Sequence, residues 1–289
     1  MNHMVFLSPK IDLVFKKLFG TPANKGILIA FLNSILNRKN GRLITEVKFS
    51  DTNNNLKILE QKLSIVDVRC TDQQGNNYIV ELQVKNHHDF AQRAQYYGAC
   101  GLDIQLQPSE KYYSLMPVIF VGVVDFVLFK RHKRYLTHHY FADDNDHACD
   151  LNLLEFHFIE LPKFKKTLKQ LASLDDKWIY FLKNAENEAE VPAELKNEKP
   201  LRAAFHVLTQ SAWTKDELLL YERQLDAARV DASSLDTAKS EGFAKGHAKG
   251  RVEEREEMVC SMLAEGIDLA TIAKITKFSV ETIKKLKKG

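Results

Sequence analysis

The sharpest chemical signal in this chain is a pair of carboxylates, Asp67 and Glu81. The segments Leu63 to Cys70 and Tyr78 to Val84 have strand composition, and the intervening Asp72-Gln73-Gln74-Gly75-Asn76 reads as a turn, so a hairpin is predicted. A turn centred on Gln74 puts Asp67 and Glu81 directly opposite each other, about 5 Å apart at Cβ. Because side chains alternate along a strand, Ile65, Asp67 and Arg69 share one face, and Ile79, Glu81, Gln83 and Lys85 share one face of the partner strand. Val80, Leu82 and Val84 take the other face. Facing carboxylates repel, and such a pair persists where water screens it or where a cation neutralises it. Both readings stay open on spacing. In the first, this is an ordinary amphipathic hairpin with charges on its solvent side. In the second, the pair suits a hard divalent ion such as Mg²⁺, which takes a couple of carboxylates, backbone carbonyl and water while leaving positions for phosphate oxygens.

The elements around the hairpin must hold it. Ile11, Val14, Phe15, Leu18 and Phe19 recur at helical spacing over residues 9 to 19 with Gly20 as a stop, and Ile27, Leu28, Phe31, Leu32 and Ile35 repeat the pattern over 24 to 36. Strands are predicted at Ile44 to Phe49 and Val118 to Val124, with a helix from about Asp89 to Gln105 between the hairpin and the latter. The order α-α-β-β-β-α-β ends in a crossover that places a parallel strand beside the meander. Further strands are expected near Leu136 to Phe141 and Glu155 to Leu161. From Lys163 the apolar residues keep helical spacing to Leu182, and again from Phe205 to Leu225, with a Glu/Lys-rich connector containing Pro192 between them. Asp231 to Ser234 reads as a linker. The pattern predicts a core over residues 1–175, a helical extension over 176–230, and a tail over 231–289.

An Asp in one strand and Glu-x-Gln in the next, with two helices before and one after, resembles the PD-(D/E)XK nuclease superfamily. More narrowly, Asp12-Leu13-Val14-Phe15-Lys16-Lys17-Leu18-Phe19-Gly20, Asp67-Val68-Arg69-Cys70, Glu81-Leu82-Gln83-Val84, and Phe90 with Arg93 and Tyr96-Tyr97 are similar to the Rpn family of recombination-promoting nucleases and transposases. The likeness covers residues 8 to 105 by motif and reaches about 230 by layout. It implies an α/β (α+β) restriction-endonuclease-like core, a mixed central sheet flanked by helices, with a helical C-terminal tail. It also implies a DNA endonuclease dependent on Mg²⁺ or Mn²⁺, hydrolysing phosphodiester bonds to 5′-phosphate and 3′-hydroxyl, and linked to recombination or mobile elements; low sequence specificity is expected because the chain offers few residues for base readout. On this resemblance Asp67 and Glu81 are the metal ligands, with the Leu82 carbonyl as a third, and Asp12 is auxiliary. Gln83 stands where the superfamily usually has lysine; an amide can orient water but cannot act as a base or supply charge. Lys85, on the same predicted face, could supply the missing cation, with a surface lysine as its alternative. Arg93, Gln92 and Tyr96 on the next helix would face the nucleic-acid backbone, although an aromatic pair in mid-helix more often packs a core. The competing class is a catalytically inactive DNA- or protein-binding module that keeps the fold. A transposase with RNase-H-like chemistry is disfavoured, because no later acidic residue stands in a comparable strand context.

The remaining sequence narrows the classes. A chain of 289 residues, 45% hydrophobic and 10% aromatic, can bury a full core, which excludes intrinsic disorder. The most apolar run, Met116 to Phe129, is broken by Pro117 and Asp125, so no membrane span is expected. The opening Met1-Asn2-His3-Met4 shows no secretory pattern, so a cytoplasmic protein is the expectation. Cys70, Cys100, Cys149 and Cys260 lie too far apart for a disulfide framework or zinc motif and read as packed thiols. Net charge is only +3, but Lys130 to Arg134, Lys163 to Lys169 and Lys274 to Lys288 concentrate positive charge, as a mild nucleic-acid footprint or a solvated surface would. His138-His139 with Asp143-Asp144-Asn145-Asp146-His147 has no metal-specific spacing and reads as a polar loop. In the tail, Gly242, Gly246 and Gly250 suit either a close-packing face or a frayed helix. Residues 262 to 286 have helix-turn-helix rhythm, with Asp268 and Ser279 as N-caps, Gly266 as C-cap, and Ile267, Ile272, Ile275, Phe278, Val280 and Ile283 inside. A double-strand cut by one site per chain would favour a homodimer.

Overall fold

Helical spacing of apolar side chains opens the chain. In the computed structural model, which describes residues 6–50, 67–86, 89–106 and 111–286, α1 (Asp12–Phe19) buries Val14, Phe15, Leu18 and Phe19. α2 (Lys25–Ile35) buries Ile27, Leu28, Phe31, Leu32 and Ile35. A six-stranded mixed sheet follows, in the order β1-β2-β3-β4-β6-β5. Its strands are β1 (Val47–Phe49), β2 (Val68–Asp72), β3 (Asn77–Gln83), β4 (Val118–Val124), β5 (Leu136–Tyr140) and β6 (Leu154–Glu160). The expected first strand is shorter than its apolar pattern, starting at Val47 rather than Ile44. Residues 63–66 of the predicted hairpin lie outside the described residues.

β2 and β3 pair antiparallel with Val68 opposite Val80 and Arg69 opposite Ile79, a register that centres on Gln74 as expected. Gly75 sits in the turn at φ +91°, a conformation that favours glycine. β3 to β4 and β4 to β6 are parallel, and β5 is antiparallel to β6 at the sheet edge. The first parallel crossover carries α3 (Phe90–Asp103). Ile79 of β3, Phe120 of β4, and Phe156 and Phe158 of β6 share the face that packs on Phe90, Ala94 and Tyr97 of α3. Gly101 allows that approach, because a Cβ there would lie 2.9 Å from Val118 Cγ1. Val80 and Val121, on the opposite face, are equally buried.

Beyond the sheet the helical run starts later than periodicity predicts. Residues 161–163 and 168–170 form 3-10 turns, with Pro162 in the first and a Thr167–Gln170 capping box in the second. α4 (Leu174–Asn184) then begins at an N-cap, where Ser173 accepts the Asp176 N–H. Its Trp178 is fully buried against Phe19, Phe31 and Phe181. The connector holds the short α5 (Ala193–Lys196), and α6 (Lys199–Leu208) ends where residues 210–212 turn.

The segment expected to be a linker, Asp231 to Ser234, is helical, inside α7 (Lys215–Ala264). It contains no Pro or Gly, and ordinary poor helix formers cost only about 0.5 kcal/mol each against alanine. The chain divides into two compact units, Met1–Gln224 and Leu225–Gly289. Within the second, α8 (Leu269–Thr276) starts at Asp268, whose carboxylate accepts the Ala270 and Thr271 N–H groups. α9 (Val280–Leu286) starts after Ser279, whose hydroxyl accepts the Thr282 N–H. Val259, Ile272 and Ile283 form the interior with Phe278 against it, whereas Ile267, Ile275 and Val280 are exposed, contrary to the expected pattern. Gly242, Gly246 and Gly250 lie in α7, where an added Cβ would meet nothing within 4 Å, so no described neighbour needs the small residues.

Candidate active site

The hairpin ladder ends with Val68 opposite Val80, and Asp67, the next residue out, lies against Glu81. Two hydrogen bonds tie the strands together here: the Asp67 N–H donates to Glu81 Oε2 at 3.2 Å, and the N–H of the neighbouring Leu82 donates to Asp67 Oδ2 at 2.7 Å. The amphipathic, water-screened reading fails here. Glu81 is 5% exposed and the Asp67 side chain 9%, because the β3 face carrying Ile79 and Glu81 is covered rather than solvated.

Four other side chains converge on the pair. From α1, Lys16 Nζ lies 3.5 Å from Asp67 Oδ1 and 2.9 Å from Asp12 Oδ1. From α3, Arg93 Nη2 lies 3.6 Å from Glu81 Oε1 and donates to Gln83 Oε1 at 3.2 Å. The guanidinium is packed over the Phe90 and Tyr97 rings, and its Nε is buried without a hydrogen-bond partner among the described residues. Arg93 is therefore turned inward toward the carboxylates rather than held out on the surface of the helix.

Burial dominates the electrostatics. It pushes the Asp67 carboxyl up to about 8, helped by the adjacent Asp12 carboxyl and the Glu81 charge, and opposed by the Leu82 N–H. Burial likewise pushes Glu81 up to about 7 against the Asp67 N–H, Arg93 and Lys16, all of which favour the carboxylate. For Lys16, burial works against the ammonium, but Asp12 and Asp67 outweigh it and raise its pKa. Near neutral pH the carboxyl pair is short of positive charge and retains a proton. A divalent cation fits that deficit and that all-oxygen donor set.

The structure thus brings Asp12, Asp67, Glu81 and Gln83 together, and it turns Arg93, expected to face the nucleic-acid backbone, onto Glu81 and Gln83 instead. It leaves Lys85 and Gln92 on the surface. β3 ends at Gln83, so strand alternation does not reach Lys85, which is exposed, and Gln92 is exposed on α3. Tyr97 packs in the core and Tyr96 is half exposed, although their rings stay 6.3 Å apart. Sequence reasoning missed Lys16 as a member of the site. Its signal was the four-residue spacing from Asp12, which puts both on one helix face. The predicted polar loop also divides. His138 and His139 occupy β5 with opposite orientations, Asp143 to His147 are exposed, and His138 meets Glu155 and His157 instead.

All four cysteines are free; only Cys70 is buried, while Cys149 and Cys260 are exposed, so the packed-thiol expectation holds for one of them. Among the described residues no helix is long and apolar enough to cross a membrane. A family model described as PD-(D/E)XK nuclease family transposase matches residues 9–238, a span that contains every residue of the site. No curated protein and no solved structure matches the chain.

Proposed function

The chain belongs to the PD-(D/E)XK nuclease family transposases, and on that premise we propose that it is a divalent-metal-dependent DNA endonuclease of low sequence specificity. The observation that carries the reading is the buried Asp67–Glu81 pair, two carboxylates whose burial outweighs the Lys16 and Arg93 cations beside them. Family membership supports a nuclease-like activity linked to mobile elements and suggests DNA as its substrate; the metal is inferred from the site. Asp67 and Glu81 would hold Mg²⁺ or Mn²⁺. The ion supplies Lewis-acid polarisation of phosphate and water and offsets charge during in-line attack on the phosphodiester.

The protein's own residues do the rest. Arg93 fixes Gln83 by donating to its Oε1, so the Gln83 amide N–H groups are the end that orients the attacking water. Lys16 brings the positive charge that an amide at position 83 lacks, and it keeps the Asp12 carboxylate beside Asp67. The exposed Gln92 and Lys85 contact the phosphate backbone. Two subunits acting together would cut both strands.

The test is nicking of supercoiled plasmid by the purified full-length protein with Mg²⁺, with Mn²⁺ and with chelator. Metal-dependent nicking lost in folded Asp67→Asn and Glu81→Gln variants is the expected result. Binding without cleavage under either metal would overturn it and favour an inactive binding module.

A further inference from the structure

We propose that His138, Glu155 and His157 form a second metal site, selective for a borderline divalent ion of the Zn²⁺ class, on the sheet face opposite the Asp67–Glu81 pair. Topology brings the three together. β5 pairs antiparallel with β6 so that His138 lies directly opposite His157, and Glu155, two residues before His157, shares its face. Phe156 and Phe158 alternate to the other face, the one that carries Glu81 and packs on α3. The two sites therefore share no residue and no face.

The geometry is that of a ligand set rather than of a satisfied hydrogen-bond network. The His138 and His157 rings stack with centroids 4.2 Å apart and planes 9° from parallel. Both Nε2 atoms then address one acceptor, Glu155 Oε2, at 3.6 Å each. That is too long for a good hydrogen bond. It is close to the spacing of about 3.4 Å between ligand atoms of a tetrahedral ion bound at about 2.1 Å. All three ligand atoms lie within 4.8 Å of one another.

A second observation points the same way: His157, with its side chain 8% exposed, has its Nε2 buried without a hydrogen-bond partner among the described residues. An orphaned buried imidazole nitrogen is costly unless something takes its lone pair or proton. Two imidazoles and one carboxylate form a recognised zinc donor set, softer than the all-oxygen pair at Asp67 and Glu81, so Zn²⁺ is preferred over Mg²⁺. His138 is 44% exposed, which leaves an entry path and room for a water as a further ligand. Arg38, 3.8 Å from Glu155 Oε2, is the cation already present, and a simple Arg38–Glu155 ion pair is the competing account. Bound metal would pin β5, an edge strand whose described pairing is to β6 alone.

The deciding experiment titrates metal-stripped full-length protein with Zn²⁺ against a chromophoric chelator, with Mg²⁺ as comparator and Co²⁺ for its visible spectrum. One tight Zn²⁺ per chain that Mg²⁺ does not displace is expected, distinct from weaker, Mg²⁺-displaceable uptake at Asp67 and Glu81, with a tetrahedral Co²⁺ spectrum. Affinity falls at least tenfold in both His138→Ala and Glu155→Gln and is unchanged in Asp67→Asn, which separates this site from the proposed nuclease centre. His138 is exposed enough for its variant to fold, and circular dichroism without metal checks this. The proposal is overturned if no stoichiometric Zn²⁺ binds, or if either folded variant keeps wild-type affinity.

Discussion

Replacing Asp67 by Asn should make the metal-free protein more stable, and the gain should depend on pH. The folded carboxyl titrates near 8 instead of its ordinary 3.8, so between those values the folded protein holds a proton that the unfolded chain has released. Stability contributed at this position therefore falls as pH rises from about 4 to about 8 and is level above that. Holding the ionised form inside the fold at pH 8 is opposed by up to about 5 kcal/mol. The realised gain is smaller, because part of the displacement is repulsion shared with Glu81 and Asp12, and because the Leu82 N–H bond favours the carboxylate over an amide. Halving the ceiling gives about 2 kcal/mol, or a melting temperature about 4–8 °C higher for a chain of this size. The assay is thermal unfolding of both proteins in chelator from pH 4 to pH 9. The gap should open from near zero at pH 4 to its full size at pH 8, and added Mg²⁺ should shrink it by stabilising the wild type alone. A gap that does not change with pH, or a variant no more stable than wild type at pH 8, would refute the buried, charge-deficient pair.

Other positions test the frame around the site. Glu160 is fully buried, accepts the Leu128 and Phe129 N–H groups at 2.7 and 3.1 Å, and pairs with Lys163 at 2.6 Å. Lys163→Ala should leave that carboxylate uncompensated and cost about 3–5 kcal/mol in chemical denaturation. Gly122 stands beside Glu81 in the β3–β4 register, and a Cβ there would lie 3.0 Å from both Phe120 and Phe158; Gly122→Ala should cost about 1–3 kcal/mol and weaken nicking by displacing β4. In the tail, Asp268→Ala removes the acceptor for the Ala270 and Thr271 N–H groups, so these amides should exchange faster with deuterium, by the factor of about five that roughly 1 kcal/mol represents.

Local chemistry made much of this protein legible. Alternation of apolar residues at two or at 3.6 positions, punctuated by Gly20 and by the Asp72–Asn76 turn, was enough to predict α1, α2, the hairpin register and the parallel crossover. A hairpin register follows from its own turn, so the Asp67–Glu81 apposition was readable before any tertiary contact was known. Burial was not. Whether Glu81 faces water or a covering layer depends on α3 and on neighbouring strands supplied by distant sequence. The inward turn of Arg93 and the arrival of Lys16 from α1 are consequences of that packing, and they made a charged hairpin into a charge-deficient site. The helical continuity of residues 231–234 escaped a reading that weighs residue types, since weak helix formers inside a long helix are outvoted by cooperativity. His138, Glu155 and His157 are the clearest case. Nothing in their linear spacing selects a metal, because the third dimension that aligns them is the ladder between β5 and β6.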